Sequence, residues 1–311
     1  MKSDSEDFQF DFIGDIHGHA YMLVKLLNLL GYTYQNGSYA HPTRKAFFVG
    51  DYIDRGPQIK ETLEIVKSMV DNGNAIALMG NHEYNALCFH YPDKKGGHLR
   101  KHSITNVIQH YQTLKQFQNR QTEYESYLEW FKTLPIFFET DQFGSVHSCW
   151  DNDHIAYLRT RLKDNCLSDD LLYESAQKGT ELNLAIEETL KGKEMKLPTG
   201  KYFKDKDGTE RTEFRIKWWE DPTLSTYQTL AIEPGDYLPE TMIDLKTLTC
   251  TNFYSGTDKP IFFGHYWLKG KPNLHRNNIC CLDYSVAKEG HLAAYRFDGE
   301  KELSNGNIVF V

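Results

Sequence analysis

Apolar residues along this chain fall into short runs that stop at glycine. Residues 8–13 read as a strand ending at Gly14, and residues 46–49 as a buried strand ending at Gly50. A third strand, residues 75–79, ends at Gly80. Between the first two, Met22, Leu23, Leu26, Leu27 and Leu30 recur at helical spacing over residues 19–30, and Gly31 stops the helix. Pro57 opens a second helix through Val70, with Leu63, Ile65, Val66 and Met69 on its apolar side; Asn72-Gly73 ends it. Strand, glycine-bounded loop and helix in alternation predict an α/β fold with a mostly parallel portion of sheet.

The pattern then changes. Residues 100–133 read as helical with a polar face. Strand-like runs return at residues 136–139, 145–147, 260–263, 279–283 and 291–297. Residues 153–245 are mixed, rich in charge and aromatics, with exposed loops expected at 191–193 and 204–208. The expected organisation is a mobile tail at residues 1–7 and a single domain over residues 8–311, with a cap or insertion within 153–245. No linker rich in Pro, Gly or Ser separates two halves, and no repeat or low-complexity tract is present.

Composition narrows the function classes. With 35 basic and 43 acidic side chains, the formal net charge of −8 disfavours general binding to nucleic acid or an anionic membrane. No apolar run approaches the ~18–20 residues of a membrane span. The acidic start Met1-Lys2-Ser3-Asp4 is unlike a secretory signal. Six cysteines without a C-x-x-C pair read as reduced thiols, which places the chain in the cytoplasm as an expectation. Aromatics at 14% favour a well-packed fold or aromatic-lined pockets.

The candidate chemistry sits where strands end: Gly14-Asp15-Ile16-His17-Gly18, then Gly50-Asp51-Tyr52-Ile53-Asp54-Arg55-Gly56-Pro57, then Gly80-Asn81-His82-Glu83. Ligand sites of open α/β sheets lie at the carboxyl ends of strands, so these loops should converge. Asp, His and Asn on rigid strand ends suit Mn²⁺, Fe, Zn²⁺ or Mg²⁺ better than a soft metal. Asn81 has a second reading as the cap of a helix start.

These loops resemble the D-x-H, G-D-x-x-D-R-G and G-N-H-E blocks of the calcineurin-like metallophosphoesterases. Val146-His147 and Gly264-His265 resemble the family's two later blocks, in the same order. The resemblance implies a four-layer sandwich, with two central mixed β-sheets flanked by helices, here carrying a helical or mixed insertion. It implies Asp15 and His17 on one metal, Asp51 bridging both, and Asn81, His147 and His265 on the second. It implies two divalent ions, Mn²⁺ foremost, with Fe, Zn²⁺, Ni²⁺, Co²⁺ or Mg²⁺ as alternatives, and attack by a metal-bridging hydroxide. His82 would protonate the leaving oxygen, Asp54 would orient His82, and Arg55 would contact the phosphate through its planar fork.

Within the family, the stretch from Leu29 to Thr33, Asn36-Gly37 and the later Cys280-Cys281-Leu282-Asp283 are similar to bis(5'-nucleosyl)-tetraphosphatases and related phosphoprotein-phosphatase-like enzymes. The expected substrate is a small nucleoside polyphosphate. A phosphoprotein, with Ser/Thr phosphatase activity, is the alternative, and a non-catalytic phosphate-binding module is a third. Arg215, in a run of basic and aromatic residues with Trp218-Trp219, is expected on a wall over the metals as a phosphate contact. Tyr266 and Trp267 read equally as substrate wall or core packing. Ser148-Cys149 replace the small residues usual after the fourth block; Cys149 reads as inert packing ahead of a redox-sensitive thiol. His19, His41, His90, His98, His102, His110, His154, His275 and His291 have no motif around them and read as structural.

Overall fold

Strand β1 (Gln9–Ile13) shows how the layers arise. Its side chains alternate, so Phe10 and Phe12 face one way and Asp11 and Ile13 the other. The computed structural model describes residues 9–198, 200–204, 210–244 and 253–311. The expected tail at residues 1–7, Cys250 and residues 205–208 lie outside the described residues.

After β1 come α1 (Ala20–Leu30), closed by left-handed Gly31, and a hairpin of β2 (Thr33–Gln35) and β3 (Ser38–Ala40). The hairpin turns at Asn36 and Gly37, both with positive φ, the pair that a two-residue hairpin loop favours. Next are β4 (Arg44–Phe48), α2 (Ile59–Asp71), β5 (Ala75–Ala77) and α3 (Asn81–His90). The single helical stretch expected at residues 100–133 is two helices, α4 (Ile104–Gln116) and α5 (Gln121–Phe131). Strands β6 (Phe137–Glu139) and β7 (Gly144–Val146) precede helices α6 (Asn152–Arg161), α7 (Asp169–Ser175) and α8 (Glu181–Lys191). Short strands follow: β8 (Glu194–Lys196), β9 (Phe203–Lys204), β10 (Glu210–Arg211) and β11 (Glu213–Arg215), then α9 (Tyr227–Leu230). The chain returns to the core with β12 (Ile261–Phe263), β13 (Ile279–Cys281), β14 (Asp283–Tyr284), β15 (His291–Phe297) and β16 (Ile308–Phe310).

Two mixed sheets form the centre. One runs β14-β15-β1-β4-β5, with β16 also on β15; the other runs β13-β12-β7-β6. In the first, β1, β4 and β5 are parallel and β15 antiparallel to β1; in the second, β12 is parallel to β13 and β7, and β6 antiparallel to β7. Phe12, Phe47, Phe143, Phe262, Tyr295 and Phe297 fill the space between the sheets. Phe12 stacks on Phe262 with centroids 3.7 Å apart. The opposite faces, carrying Ile13, Phe48, Ile261 and Phe263, meet leucines and other apolar residues of the flanking helices, including Leu23, Leu26, Leu63, Leu158 and Ile186. Helix, sheet, sheet, helix is the four-layer sandwich expected from the resemblance, and every inner aromatic removes roughly 2–3 kcal/mol worth of apolar surface from water.

The chain between β7 and β12 divides by packing. Helices α6 to α8 send Leu158, Leu172, Leu182 and Ile186 into the main core. Met195, Leu197, Phe214, Tyr227, Leu230 and Leu238 instead share a separate small cluster beside it. No helix among the described residues is long and apolar enough to cross a membrane.

Candidate metal centre

Loops following β1, β4, β5, β7 and β12 bring the five sequence blocks together at one end of the two sheets. Asp15, His17, Asp51, Asn81, His147 and His265 are all buried there. The approach is so close that side chains are excluded at several glycines. A Cβ on Gly264 would lie 1.9 Å from Asp15 Oδ1, and one on Gly80 would lie 2.2 Å from the Asp51 carboxylate. The backbone is strained as well. His17, Asp51, Asp54, Arg55, His265 and Trp267 all have φ between 46° and 77°. Non-glycine residues rarely adopt this left-handed region, and such outliers gather where a site dictates side-chain direction.

Asp51 Oδ2 is the centre of the cluster. His147 Nε2 lies 3.3 Å from it, His17 Nε2 3.6 Å and His82 Nε2 3.9 Å. Asn81 Oδ1 lies 3.0 Å from His147 Nε2 and 2.7 Å from His265 Nδ1. Two groups with ligand atoms in mutual reach share Asp51: His17, Asp51 and His82, and Asp51, His147 and His265. The donors fit a pair of cations. His17 Nδ1 faces the Ile53 carbonyl at 3.0 Å and His147 Nδ1 faces the Val49 carbonyl at 2.8 Å. Each Nδ1 therefore carries the proton, and each Nε2 directs a lone pair at Asp51. Asp15 Oδ1, His17 Nε2 and His265 Nε2 are buried with no hydrogen-bond partner. Converging buried acceptors repel one another unless positive charge sits among them. Carboxylate, imidazole and amide together suit a hard or borderline divalent ion.

Protonation responds to this crowding. Burial, followed by the charges of Asp283 and Asp51, pushes the Asp15 carboxyl well above the usual range. Burial lowers His17 to about 4. Burial acts against ionised Asp51 too, but His147 first and His82 second, in their protonated forms, overcome it and hold it low.

Beside the cluster, His82 Nδ1 meets Asp54 Oδ2 at 2.5 Å. Asp54 Oδ1 accepts from Thr113 Oγ1 at 2.5 Å and faces His110 Nδ1 at 2.9 Å, and His110 Nε2 meets the Tyr124 hydroxyl at 2.9 Å. Burial would raise Asp54, but its hydrogen bonds to His110 and His82 dominate and keep it ionised. Thus His110, read as structural from the sequence, belongs to this chain of polar groups. Glu83, the last residue of the G-N-H-E block, has a structural part that the block alone does not reveal. Its carboxylate accepts backbone N–H groups of Asp51 at 2.9 Å and Gly80 at 3.0 Å on one oxygen, and of Tyr52 at 2.9 Å and Ile53 at 3.3 Å on the other. Asn81 is not a helix cap: Gly80 occupies that position, and Asn81 opens α3 with its side chain in the cluster.

Arg55 and Arg215 are exposed and line the cavities over the cluster. Trp218 and Trp219 do not form the expected wall. Both are buried, with Trp218 Nε1 donating to the Ser148 carbonyl and Trp219 packed on Phe263. Their place is taken by Trp267, half-buried, with its ring stacked on His17 at 5.3 Å and Arg55 5.5 Å from its centroid. Tyr266 is core. Cys149 is buried, and burial pushes its thiol far up, which makes it unreactive.

Two mixed sheets carrying a buried carboxylate, imidazole and amide cluster at their strand ends, with Arg55 above it, define a metal-dependent phosphohydrolase. The chain belongs to the calcineurin-like phosphoesterase family, which it matches over residues 8–186. It is similar to bis(5'-nucleosyl)-tetraphosphatase PrpE [asymmetrical] of Halalkalibacterium halodurans, at 32% identity over 175 residues, 55% of this chain and 70% of the relative. The protein of the same name from Geobacillus sp. is 30% identical over 176 residues, 55% and 70% of the two chains. A protein serine/threonine phosphatase structure from Saccharomyces cerevisiae matches 99% of this chain and 80% of its own at 14% identity and a TM-score of 0.52, a likeness of fold.

Proposed function

We propose that the chain hydrolyses a phosphoanhydride bond of a nucleoside polyphosphate such as diadenosine tetraphosphate, using two divalent ions, with Mn²⁺ the preferred pair, in the cytoplasm. Asp15, His17, Asp51, Asn81, His147 and His265 would hold the ions, and bound ions supply charge neutralisation and activation of water. The chain's own side chains do the rest. Arg55 and Arg215 hold the phosphate oxygens of the transferred group. His82, oriented through Nδ1 by Asp54, offers the proton on Nε2 to the departing oxygen. Asp54 keeps that proton in place because His110 and Thr113 fix its other oxygen.

The observation that carries the reaction class is the Asp51 carboxylate shared by two ligand groups, with the His82–Asp54 pair alongside. The substrate class rests on the surroundings. A cleft of about 710 Å³ carries Arg55, Arg211, Arg215 and Lys288 interleaved with Glu194, Glu210, Glu213 and Glu233; its cations next to the metal cluster, Arg55 and Arg215, suit phosphates, and Trp267 beside them offers a ring for a base. The names of the relatives support the same substrate.

The test is a panel of p-nitrophenyl phosphate, diadenosine tetraphosphate and a phosphoserine peptide. Chelation should abolish hydrolysis and Mn²⁺ should restore it, with kcat/KM highest for diadenosine tetraphosphate. Full activity in protein shown to be metal-free would overturn the mechanism. A preference for the phosphopeptide would overturn the substrate and support a protein phosphatase.

A further inference from the structure

The cluster opens in two directions. Towards the small outer cluster lies the large cleft. A smaller cavity of about 180 Å³ covers the mouth at Arg55, Arg215, His265 and Trp267 and sends an arm towards α3 and α4, from Asn81 and His82 past Asn85 to Arg100, Asn106 and Gln109. We propose that this arm is a phosphate subsite for the leaving group, with Arg100 as the residue that recognises it. The proposal rests on the hydrolase reading above and extends it to the chemical nature of what departs.

Three observations converge on it. Arg100 Nη2 donates to the amide oxygens of Asn106 at 3.0 Å and Gln109 at 2.7 Å, and no carboxylate among the described residues forms an ion pair with it. Several other arginines are matched by carboxylates: Arg44 with Asp11 and Asp298, Arg159 with Glu139, and Arg161 with Glu174; Arg276, which is also held by neutral oxygens, donates to two backbone carbonyls and lies away from the cavity. An oriented, half-buried guanidinium held by neutral amides keeps its full charge for an anion. The amides also order it in advance, which removes part of the cost of binding.

The second observation is direction. His82 is tethered through Asp54 to His110 and Thr113, both on α4. The proton donor therefore stands on the α4 side of the transferred phosphorus, and Arg215 stands in the cleft on the other side while reaching the shared mouth. In the reaction, water forms the new bond to phosphorus and releases a proton to solvent. The bond from phosphorus to the bridging oxygen breaks. That oxygen keeps the electron pair and takes the proton from His82, so the departing group lies in the arm. The third observation is composition: beside the apolar Ala86 and Phe89, Asn85 and Gln109 bring amide groups to the arm that can donate to phosphate oxygens, while Asn106 spends its NH₂ on the Lys101 carbonyl and its oxygen on Arg100. A leaving group that begins with a phosphate, as in a phosphoanhydride, fits this arm.

The experiment measures inhibition of p-nitrophenyl phosphate hydrolysis by pyrophosphate and by orthophosphate, with Mn²⁺ in matched excess, in the wild type, Arg100→Ala and Arg100→Lys. Pyrophosphate should bind the wild type more tightly than orthophosphate. Arg100→Ala should shrink that preference about 10- to 100-fold, the range of a lost charge-assisted hydrogen bond. Arg100→Lys, which keeps the charge and loses the fork, should shrink it less. Calorimetric titration of pyrophosphate into the Mn²⁺-loaded proteins should give the same order. An unchanged preference in both variants, or no preference in the wild type, overturns the subsite. Because the assay uses an aryl phosphate, it holds even if diadenosine tetraphosphate is not cleaved; that failure would refute the substrate reading alone.

Discussion

Replacing Glu83 by Gln tests whether one buried carboxylate assembles the centre. Its two oxygens accept four backbone N–H groups, at 2.9–3.3 Å, from the loops after β4 and β5. Burial first, and the charge of Asp51 second, push its pKa up to about 7. Four converging donors nevertheless leave no acceptor for a carboxyl proton, so the ionised form is the one this geometry holds. Glutamine keeps one oxygen and turns an NH₂ group towards the other two donors. Two hydrogen bonds to a charged acceptor are lost, each worth about 1.5–3 kcal/mol, so the cost is about 3–6 kcal/mol. At roughly 2 °C per kcal/mol for a chain of this size, Tm should fall by about 6–12 °C. Differential scanning calorimetry measures this, and Mn²⁺ titration of the folded variant should show weakened binding, because the same loops carry Asp51 and Asn81. A fall in Tm of less than about 2 °C with unchanged Mn²⁺ affinity would mean that the carboxyl is neutral in the folded protein and does not organise the loops.

Other outcomes follow from the same geometry. His82→Ala should reduce kcat by roughly 10²–10⁴-fold on alkyl phosphates and by much less on p-nitrophenyl phosphate, whose leaving group needs little protonation; equal losses would make His82 a phosphate-positioning residue. Arg215→Ala should raise KM for diadenosine tetraphosphate more than for p-nitrophenyl phosphate, since Arg215 lies between the metal cluster and the large cleft; an identical rise on both would confine it to the transferred phosphate. Burial, then Lys193 and Asp151 with opposing effects, leaves Glu188 raised from 4.5 to about 7. A carboxyl raised on folding favours the folded state below its unfolded pKa and loses that favour as pH rises towards 7. Glu188→Gln should therefore add up to about 3 kcal/mol to the free energy of unfolding at pH 8 relative to its effect at pH 4.5, read by denaturant titration at both pH values; a gain of equal size at both pH values would refute this.

Much of the centre was legible in the chain because its ligands sit on strand ends marked by glycine. The close approaches at Gly80 and Gly264 are physical reasons for those letters. Asp15, His17, Asp51, Asn81, His147 and His265 were all brought to one place. What periodicity could not supply was contact between distant elements. His110 and Thr113 are three residues apart on an ordinary helix, and only docking of α4 places them on Asp54. Trp218 and Trp219 failed in the opposite sense: a basic and aromatic run suggests a binding wall, but the two lie in a turn after β11 that packs both indoles against Phe263. Trp267 is the half-buried ring at the site instead, in a segment where His265 and Trp267 both take left-handed backbone that periodicity does not announce. The break between α4 and α5 lay in a polar stretch, Gln118 to Arg120, with no proline to announce it.

The pairing of β1 with β15 also sets an order of events during synthesis. β1 lies in the middle of its sheet, and Phe10 to Ile13 pair with Phe297 back to Ala294. A ribosome must therefore extend the chain past residue 297 before that side of β1 has its partner. At ~5–20 residues per second, the wait is roughly 15–60 s. During it β1 can pair with β4, but its other edge and the faces of Phe10 and Phe12 stay open. Such an edge invites a neighbouring nascent chain. The protein is thus most exposed to aggregation, and most in need of a chaperone, before release, and a truncation just short of β15 should behave worse than the loss of most surface loops.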